Sequence, residues 1–213
     1  MQFQKFEKQI VKIENLELPG EPIQLKMAPM ERLIELTKKA RSQVNPRKAG
    51  VMVLFYPSET AKTNLVLILR KTYKGVHSAQ VGFPGGKKEA NDVSLEHAAL
   101  RETEEEVGVH SASIMVLKKL TEIYIPPSNF FVQPYLGITS VTPKFTLQED
   151  EVETLIEVPL THFMDDSILI TETISTSYGK HINVPAYRLN GHIVWGATAM
   201  MLSEVRELLK QLI

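Results

Sequence analysis

The stretch Gly85–Val109, which reads GGKKEANDVSLEHAALRETEEEVGV, carries the strongest structural signal in the chain. Its second half predicts a helix, because Ser94 is a good N-cap and the residues after it supply an apolar face. Gly108 is a suitable C-cap, since glycine readily adopts the left-handed conformation that ends helices. At about 100° per residue, three glutamates of this helix fall on one side. They are Glu102, Glu105 and Glu106.

Three carboxylates at these spacings repel one another by a few tenths of a kcal/mol per pair, about the cost of like charges on an exposed helix. Clustered carboxylate oxygens suit Mg²⁺ or Mn²⁺. The alternative is a solvated acidic face on which Arg101 pairs with Glu105. The preceding Phe83-Pro84-Gly85-Gly86 favours a ligand site, because a glycine pair at a strand end lets the backbone approach a ligand closely.

These residues resemble the sequence box of the Nudix hydrolase family, G-x5-E-x7-R-E-U-x-E-E-x-G-U, in which U is a bulky aliphatic residue. The segment Arg101–Gly108 keeps the central R-E-x-x-E-E-x-G. Asp92 stands where the family usually has Glu, the spacer after it is one residue longer, and Thr103 replaces the aliphatic residue. The longer spacer and the FPGGK segment are similar to the coenzyme A pyrophosphatase subgroup, and weaker similarity runs from about Leu65 to Trp195.

The resemblance implies a divalent metal site, with Mg²⁺ or Mn²⁺ as the cofactor. Glu105 and Glu106 would hold the metal, Glu102 would hold metal or orient water, and the Gly86 carbonyl would add a ligand. Arg101 would pin the helix carboxylates through charge-assisted hydrogen bonds. The part played by Asp92 stays open, because its side chain is shorter than that of the family glutamate.

The resemblance implies a general base either in the sequence box or in a later acidic loop, where Glu151-Val152 resembles a segment of the subgroup. Glu151 is therefore the candidate base, and the catalytic set is Glu102, Glu105 and Glu151. A solvated acidic loop is the alternative, since such charge clusters usually extend into water.

Substrate binding is expected from the stretch before the glycine pair, where the subgroup has a segment like L-L-T-x-R-S-x3-R-x3-G. Arg70 and His77 match it, whereas Lys71 replaces Ser and Gly75 replaces the second Arg. Lysines could supply charge as point donors in place of that arginine. The candidate substrate-binding residues are Arg70, Lys71, His77 and Lys87.

Coenzyme A or a derivative is the leading substrate that the resemblance implies, as one member of the nucleoside diphosphates linked to another group. Two alternatives stay open. The first is another Nudix specificity, such as ADP-ribose or a dinucleoside polyphosphate. The second is a non-catalytic nucleotide sensor on the same scaffold.

Composition narrows the class of protein. The formal net charge of −1 gives no electrostatic argument for a nucleic acid or an anionic membrane as partner. The absence of cysteine excludes disulfides, a thiolate nucleophile and a cysteine-ligated zinc site. No apolar run reaches the roughly 18–20 residues of a membrane span. We expect a cytoplasmic protein.

The order of elements predicts a mixed sheet with helices on both faces, which agrees with the Nudix-like α/β/α sandwich that the resemblance implies. Near-continuous apolar runs at Val51–Tyr56 and Leu65–Arg70 indicate strands buried on both faces. Helices are expected over 1–15, about 28–42 and about 195–212, and a single strand over 113–125. The predicted division is a helical extension, 1–46, and a Nudix domain, 47–213. The extension would pack on the domain or across a homodimer interface.

Overall fold

The computed structural model describes residues 1–30, 32–33, 45–71, 80–176 and 179–213. The α-helices in these ranges are α1 (Phe3–Ile10), α2 (Glu21–Leu25), α3 (Leu95–Val107), α4 (Leu160–Phe163) and α5 (Gly196–Lys210). The strands are β1 (Arg47–Pro57), β2 (Thr63–Arg70), β3 (Val81–Gly82), β4 (Gly85–Lys87), β5 (Met115–Lys119), β6 (Ile123–Ile125), β7 (Phe130–Ile138), β8 (Val152–Pro159), β9 (Leu169–Thr176), β10 (Gly179–Leu189) and β11 (His192–Trp195).

The central strand β1 makes the larger sheet a mixed one. It pairs in parallel with β7 and antiparallel with both β2 and β4. The strand order along the main path is β3-β2-β1-β7-β5, and β9, β10 and β11 form a separate antiparallel sheet. The mixed sheet expected from the sequence is confirmed.

Both faces of β1 are buried, which places helices on both sides of the sheet. Val53 and Phe55 face a large apolar core that also contains residues of α1 and α5. Leu54 and Tyr56, which alternate with them, face a smaller core that contains Ala99 and Val107 of α3. Successive side chains of a strand point to opposite faces, so a continuous apolar run serves two cores. The α/β/α arrangement is confirmed.

Helix α3 begins and ends where the sequence predicts. The Ser94 hydroxyl accepts a hydrogen bond from the His97 amide at 3.0 Å, and Gly108 adopts φ 74° at the C-cap. Thr103, which replaces an aliphatic residue of the family box, is buried, and its hydroxyl donates to the Ala99 carbonyl at 2.6 Å. That bond satisfies the hydroxyl inside the core. The helix and β1 lie so close together that a Cβ at Gly50 would collide with the Leu95 carbonyl.

The N-terminal helix is confirmed as α1, and a 3₁₀ turn over Val11–Asn15 continues it. Its apolar stripe lies in the large core, where the Phe6 and Phe55 rings are 5.1 Å apart. Residues 16–20 separate this turn from α2, which begins at Glu21. Proline is tolerated in the first helical turn, whose amides have no partner within the helix. Most of the helix predicted over 28–42 lies outside the described residues.

A buried carboxylate fastens the N-terminal segment to α5. Glu204 accepts hydrogen bonds from the Gly20 amide at 3.3 Å, the Gln24 side chain at 3.0 Å and the Thr121 amide at 3.1 Å. The Thr121 hydroxyl donates to the same carboxylate at 2.5 Å. This segment therefore packs on the core. The division into 1–46 and 47–213 stays a prediction.

Two other element boundaries differ from the sequence prediction. The single strand expected over 113–125 is divided into β5 and β6. Trp195 ends β11, and the last helix begins after it at Gly196. Strands β9 and β10 pair antiparallel. In the described parts of the chain, no helix combines the length and apolar character needed to cross a membrane.

Candidate active site

The glycine pair Gly85-Gly86 brings β4 against both β1 and α3. Gly85 has φ 146°, a conformation that side-chain-bearing residues rarely adopt, and a Cβ there would collide with Gly50 and Val51. A Cβ at Gly86 would collide with the carboxylate of Glu102. The pair therefore clears the space in which a carboxylate of α3 lies against the backbone of β4.

Three carboxylates converge beside this pair. One oxygen of Glu102, one of Glu106 and one of Glu151 all lie within 4.8 Å of one another. Glu102 and Glu106 come from α3, whereas Glu151 precedes β8 and is exposed. Carboxylates brought this close repel one another unless a proton or a cation lies between them.

Glu106 is the most deeply buried member of the group. Its Oε2 accepts a hydrogen bond from the Gly85 amide at 2.7 Å, and its Oε1 lies 3.1 Å from Nη2 of Arg70. Burial raises the pKa of Glu106 to about 7, against the opposing effects of the Arg70 charge and the Gly85 amide. In the metal-free protein this carboxyl group therefore takes up a proton near neutral pH.

Glu102 has a raised pKa as well. Burial is the main cause, and hydrogen bonding to Arg101 opposes it. Nη2 of Arg101 lies 3.0 Å from Oε1 of Glu102, which agrees with the pinning role predicted for that arginine. Burial is the main cause of the raised pKa in both Glu102 and Glu106, and the charges of neighbouring glutamates add to it.

Glu105 lies outside the group of three. Its Oε2 accepts a hydrogen bond from Nη1 of Arg101 at 2.7 Å, and half of its side chain is exposed. The three glutamates expected to act together are thus divided, and Glu151 takes the place that spacing alone assigns to Glu105. The predicted metal and catalytic roles of Glu105 stay predictions.

Asp92, whose role the sequence left open, binds the arginine that contacts the glutamates of the site. It is buried, and it accepts hydrogen bonds from Nε and Nη2 of Arg101, both at 3.1 Å, and from the Glu89 amide at 2.8 Å. His97 Nδ1 lies 2.9 Å from Oδ1 of Asp92, the oxygen that also accepts from Nε of Arg101. Hydrogen bonding to Arg101 holds the pKa of Asp92 far below its usual range. Asp92 therefore fixes the arginine that contacts Glu102 and Glu105.

The candidate substrate-binding residues have different surroundings. Arg70 contacts Glu106, and its Nη2 also donates to the Gly85 carbonyl at 2.6 Å. The Lys71 amide donates to the Glu151 carbonyl at 2.9 Å. Lys87 lies on the wall of a cleft next to the glycine pair. His77 lies outside the described residues.

That cleft has a volume of about 510 Å³, which is the size of a small-molecule site. It shares Arg70, Gly85 and Gly86 with the carboxylate site, so one compartment continues into the other. Most of the apolar lining of the cleft was not predicted, because it comes from elements that are far apart in the sequence. Its main apolar members are Val51, Ile125, Pro127, Phe130, Val132, Trp195 and Met201.

The residues present fit a divalent cation. Oε1 of Glu106 is buried, and although Nη2 of Arg70 lies 3.1 Å away as an ion pair, none of the described residues donates a hydrogen bond to this oxygen. Hard oxygen ligands of this type are those preferred by Mg²⁺ and Mn²⁺. Glu102, Glu106 and Glu151 would hold the cation, and the Gly86 carbonyl stays a predicted additional ligand.

A family model and curated relatives match this chain and agree on one family, and a solved structure matches its fold. The model of the NUDIX domain matches residues 46–169. The uncharacterized Nudix hydrolase NudL of Pectobacterium atrosepticum is 31% identical over 182 residues, covering 81% of this chain and 88% of that protein. NudL of Yersinia pestis is 32% identical over 172 residues, covering 76% and 79%. The Nudix hydrolase RenU of M. smegmatis has a TM-score of 0.54 at 13% identity, covering 79% of this chain and 88% of that one, and supports the fold alone.

Proposed function

Because this chain belongs to the Nudix hydrolase family, we propose that it hydrolyses the pyrophosphate bond of a nucleoside diphosphate linked to another group, with coenzyme A or a derivative as the leading substrate. The chain is a Nudix-type pyrophosphohydrolase. The observation that carries the proposal is the convergence of Glu102, Glu106 and Glu151 beside a cleft of small-molecule size. We expect the enzyme in the cytoplasm.

The bound cation, Mg²⁺ or Mn²⁺, would neutralise phosphate charge and lower the pKa of water in the site. Glu106 presents a fixed carboxylate, because the Gly85 amide and Arg70 hold it from two sides. Glu102 is oriented by Arg101 and lies in the space that Gly86 leaves open. These contacts set the ligand positions before substrate arrives, so little reorganisation is needed during the reaction.

Glu151 would contact the cation with one carboxylate oxygen, and its other oxygen is the proposed general base. It is exposed at the edge of the site, where its carboxylate can accept a proton from a water molecule that attacks phosphorus. The bond to the bridging oxygen then breaks, and the leaving phosphate departs with that oxygen. The exposed position suits this role because the proton must return to solvent before the next turnover.

The cleft supports binding of the part of the substrate beyond the pyrophosphate. Its apolar wall offers Phe130 and Trp195 as surfaces against which a flat or apolar group can pack. Lys87 and Arg70 carry positive charge at the end next to the carboxylates. Lys71 and His77 stay predicted substrate contacts.

The proposed reaction is tested with Glu106→Gln, which keeps the shape of the side chain and removes its charge. Turnover should fall by at least about 10²-fold, as loss of an electrostatic group at an active site commonly causes. The measurement is steady-state hydrolysis at saturating Mg²⁺, with circular dichroism to verify folding. Turnover near the wild-type value would exclude Glu106 from the metal site.

The substrate is tested by comparing kcat/KM for coenzyme A, dephospho-coenzyme A and ADP-ribose, with identification of products. Coenzyme A should give 3′,5′-ADP and 4′-phosphopantetheine, and should be preferred over dephospho-coenzyme A. A clear preference for ADP-ribose would replace the coenzyme A assignment with another Nudix specificity. Failure to hydrolyse any member of a broad panel would favour the non-catalytic nucleotide sensor.

A further inference from the structure

Arg70 occupies the junction of the carboxylate site and the cleft. It is the last residue of β2, and about a quarter of its side chain is exposed. A residue in this place can serve the substrate, the carboxylates or both. Its contacts distinguish these roles, because they show which groups its guanidinium already engages.

The Arg70 guanidinium closes a ring with Glu106 and Gly85. Nη2 donates to the Gly85 carbonyl at 2.6 Å and lies 3.1 Å from Oε1 of Glu106. The Gly85 amide in turn donates to Oε2 of Glu106 at 2.7 Å. Both oxygens of one buried carboxylate are therefore positioned by Arg70 and by the residue that Arg70 also holds.

The backbone next to Arg70 holds the backbone of the segment that carries Glu151. Arg70 is paired with Val152 of β8, and the Lys71 amide donates to the Glu151 carbonyl at 2.9 Å. The amide of Arg70 itself donates to the Gln80 carbonyl at 3.0 Å, and Gln80 begins the segment 80–84 that leads to the glycine pair. One end of β2 thus connects the segments that carry Glu106, Gly85 and Glu151.

We propose that Arg70 is a positioning residue that sets the placement of the Glu106 carboxylate relative to Glu151 for cation binding. This inference rests on the proposed function, since it concerns the same site. It differs from the role that the sequence predicts, which is direct contact with substrate. Lysine cannot reproduce the arrangement in full, because its flexible ammonium lacks the rigid guanidinium plane that holds Nη2 between the Gly85 carbonyl and Glu106.

The test combines direct Mn²⁺ binding with kinetics for Arg70→Gln and Arg70→Lys in the full-length protein. Mn²⁺ affinity is measured by electron paramagnetic resonance without substrate. Loss of a group that orients a metal ligand typically weakens metal affinity or activity by about 10–100-fold. We expect Arg70→Gln to lose at least about ten-fold in Mn²⁺ affinity and in kcat, with KM changed less than about three-fold, and Arg70→Lys to recover part of both losses.

Two other arginine and lysine variants provide matched controls. Arg188→Gln removes a guanidinium that is 60% exposed and pairs with Glu172 on the second sheet, and it should leave Mn²⁺ affinity unchanged. Lys87→Gln removes a cation from the cleft wall, and its effect should fall on KM. Melting temperatures of the metal-free variants establish that each is folded. If Arg70→Gln does not fold, Arg70→Lys decides.

The opposite pattern would overturn the inference. Unchanged Mn²⁺ affinity and kcat with a raised KM would make Arg70 a substrate contact, and no change in any quantity would remove it from the site. A wild-type protein that binds no Mn²⁺ would also overturn it. If wild type binds Mn²⁺ but hydrolyses no substrate, the proposed function fails while the Mn²⁺ measurements still decide the role of Arg70.

Discussion

Asp92 and Glu106 are both buried carboxyl groups of one site, yet their pKa values move in opposite directions. Hydrogen bonds from Arg101 favour the charged form of Asp92. Glu106 lies deeper, where burial outweighs its two stabilising contacts and favours the neutral form. Asp92 therefore contributes to stability above its ordinary pKa of 3.8, and that contribution is lost as the pH falls towards its lower value in the folded protein. The contribution of Glu106 to stability has the opposite pH dependence: it is present at low pH and is lost as the pH rises.

The raised pKa of Glu106 predicts how the metal-free protein responds to pH. Its stabilising contribution is present below pH 4.5 and is lost as the pH rises to about 7. Each pKa unit corresponds to about 1.4 kcal/mol, so the loss is on the order of 3 kcal/mol. In EDTA, Glu106→Gln should melt at a higher temperature than wild type at pH 8, with the difference narrowing towards pH 5.

Glu59→Gln, at an exposed turn, is the control and should show no comparable trend. A difference between Glu106→Gln and wild type that stays constant from pH 5 to pH 8 would contradict the assignment.

At the scale of elements, helix α3 was predictable because its signals are local. Ser94, the apolar face and Gly108 all lie within the helix or next to it. The partners of the carboxylates were not predictable in this way. The 3.6-residue period places Glu105 beside Glu106, but it contains no information on the distant loop that brings Glu151 into the group.

The division between β5 and β6 has the same cause. The intervening residues 120–122 contain neither glycine nor proline, so the sequence offers no local signal for a break. The Leu120 amide donates to the Pro134 carbonyl at 3.0 Å, and the next amide, that of Thr121, turns to Glu204. A hydrogen bond to a residue of α5 thus sets the end of β5.

Close approach of β4 to α3 predicts the effect of Gly86→Ala. The added Cβ would displace the Glu102 carboxylate, and we expect turnover to fall at least about ten-fold, as disturbance of a metal-site group commonly causes. Folding stability should change little, because the displaced atoms are the end of a flexible side chain. Steady-state kinetics and thermal melting measure the two effects.

Gly82→Ala, in the segment 80–84 that precedes the glycine pair, is the matched control. Its Cβ would lie 3.9 Å from the nearest atom, Nε of Arg70, which is an ordinary contact. If Gly86→Ala and Gly82→Ala both kept wild-type turnover, the free space at Gly86 would not be needed for activity.

At the scale of the whole molecule, the sequence predicted the layers but not the connections between them. The apolar stripe of α1 indicated burial without showing what it packs on. In the structure its phenylalanines pack with Phe55 of β1, in the same core as α5. That information is carried by contacts between residues far apart in the sequence, which local patterns do not report.

Burial of α1 predicts that the N-terminal segment contributes to stability. Phe6→Ala should destabilise the protein by about 3–5 kcal/mol, the usual cost of truncating a buried phenylalanine. Val11→Ala, at a side chain that is 40% exposed, is the control and should cost less than about 1 kcal/mol. Urea denaturation gives both values.

A protein that begins at Arg47 should expose apolar surface and lose solubility or change its oligomeric state. Unchanged hydrodynamic size and melting temperature in that truncated protein would refute a packing role for the segment.

The hydrogen bonds to Glu204 have a consequence for biosynthesis. Gly20 and Gln24 leave the ribosome long before their acceptor, from which 184 and 180 residues of chain separate them. At translation rates of about 5–20 residues per second, the N-terminal segment waits roughly 10–40 seconds for its anchor. During that interval these two donors lack their acceptor, and docking of this segment completes only when α5 has been synthesised.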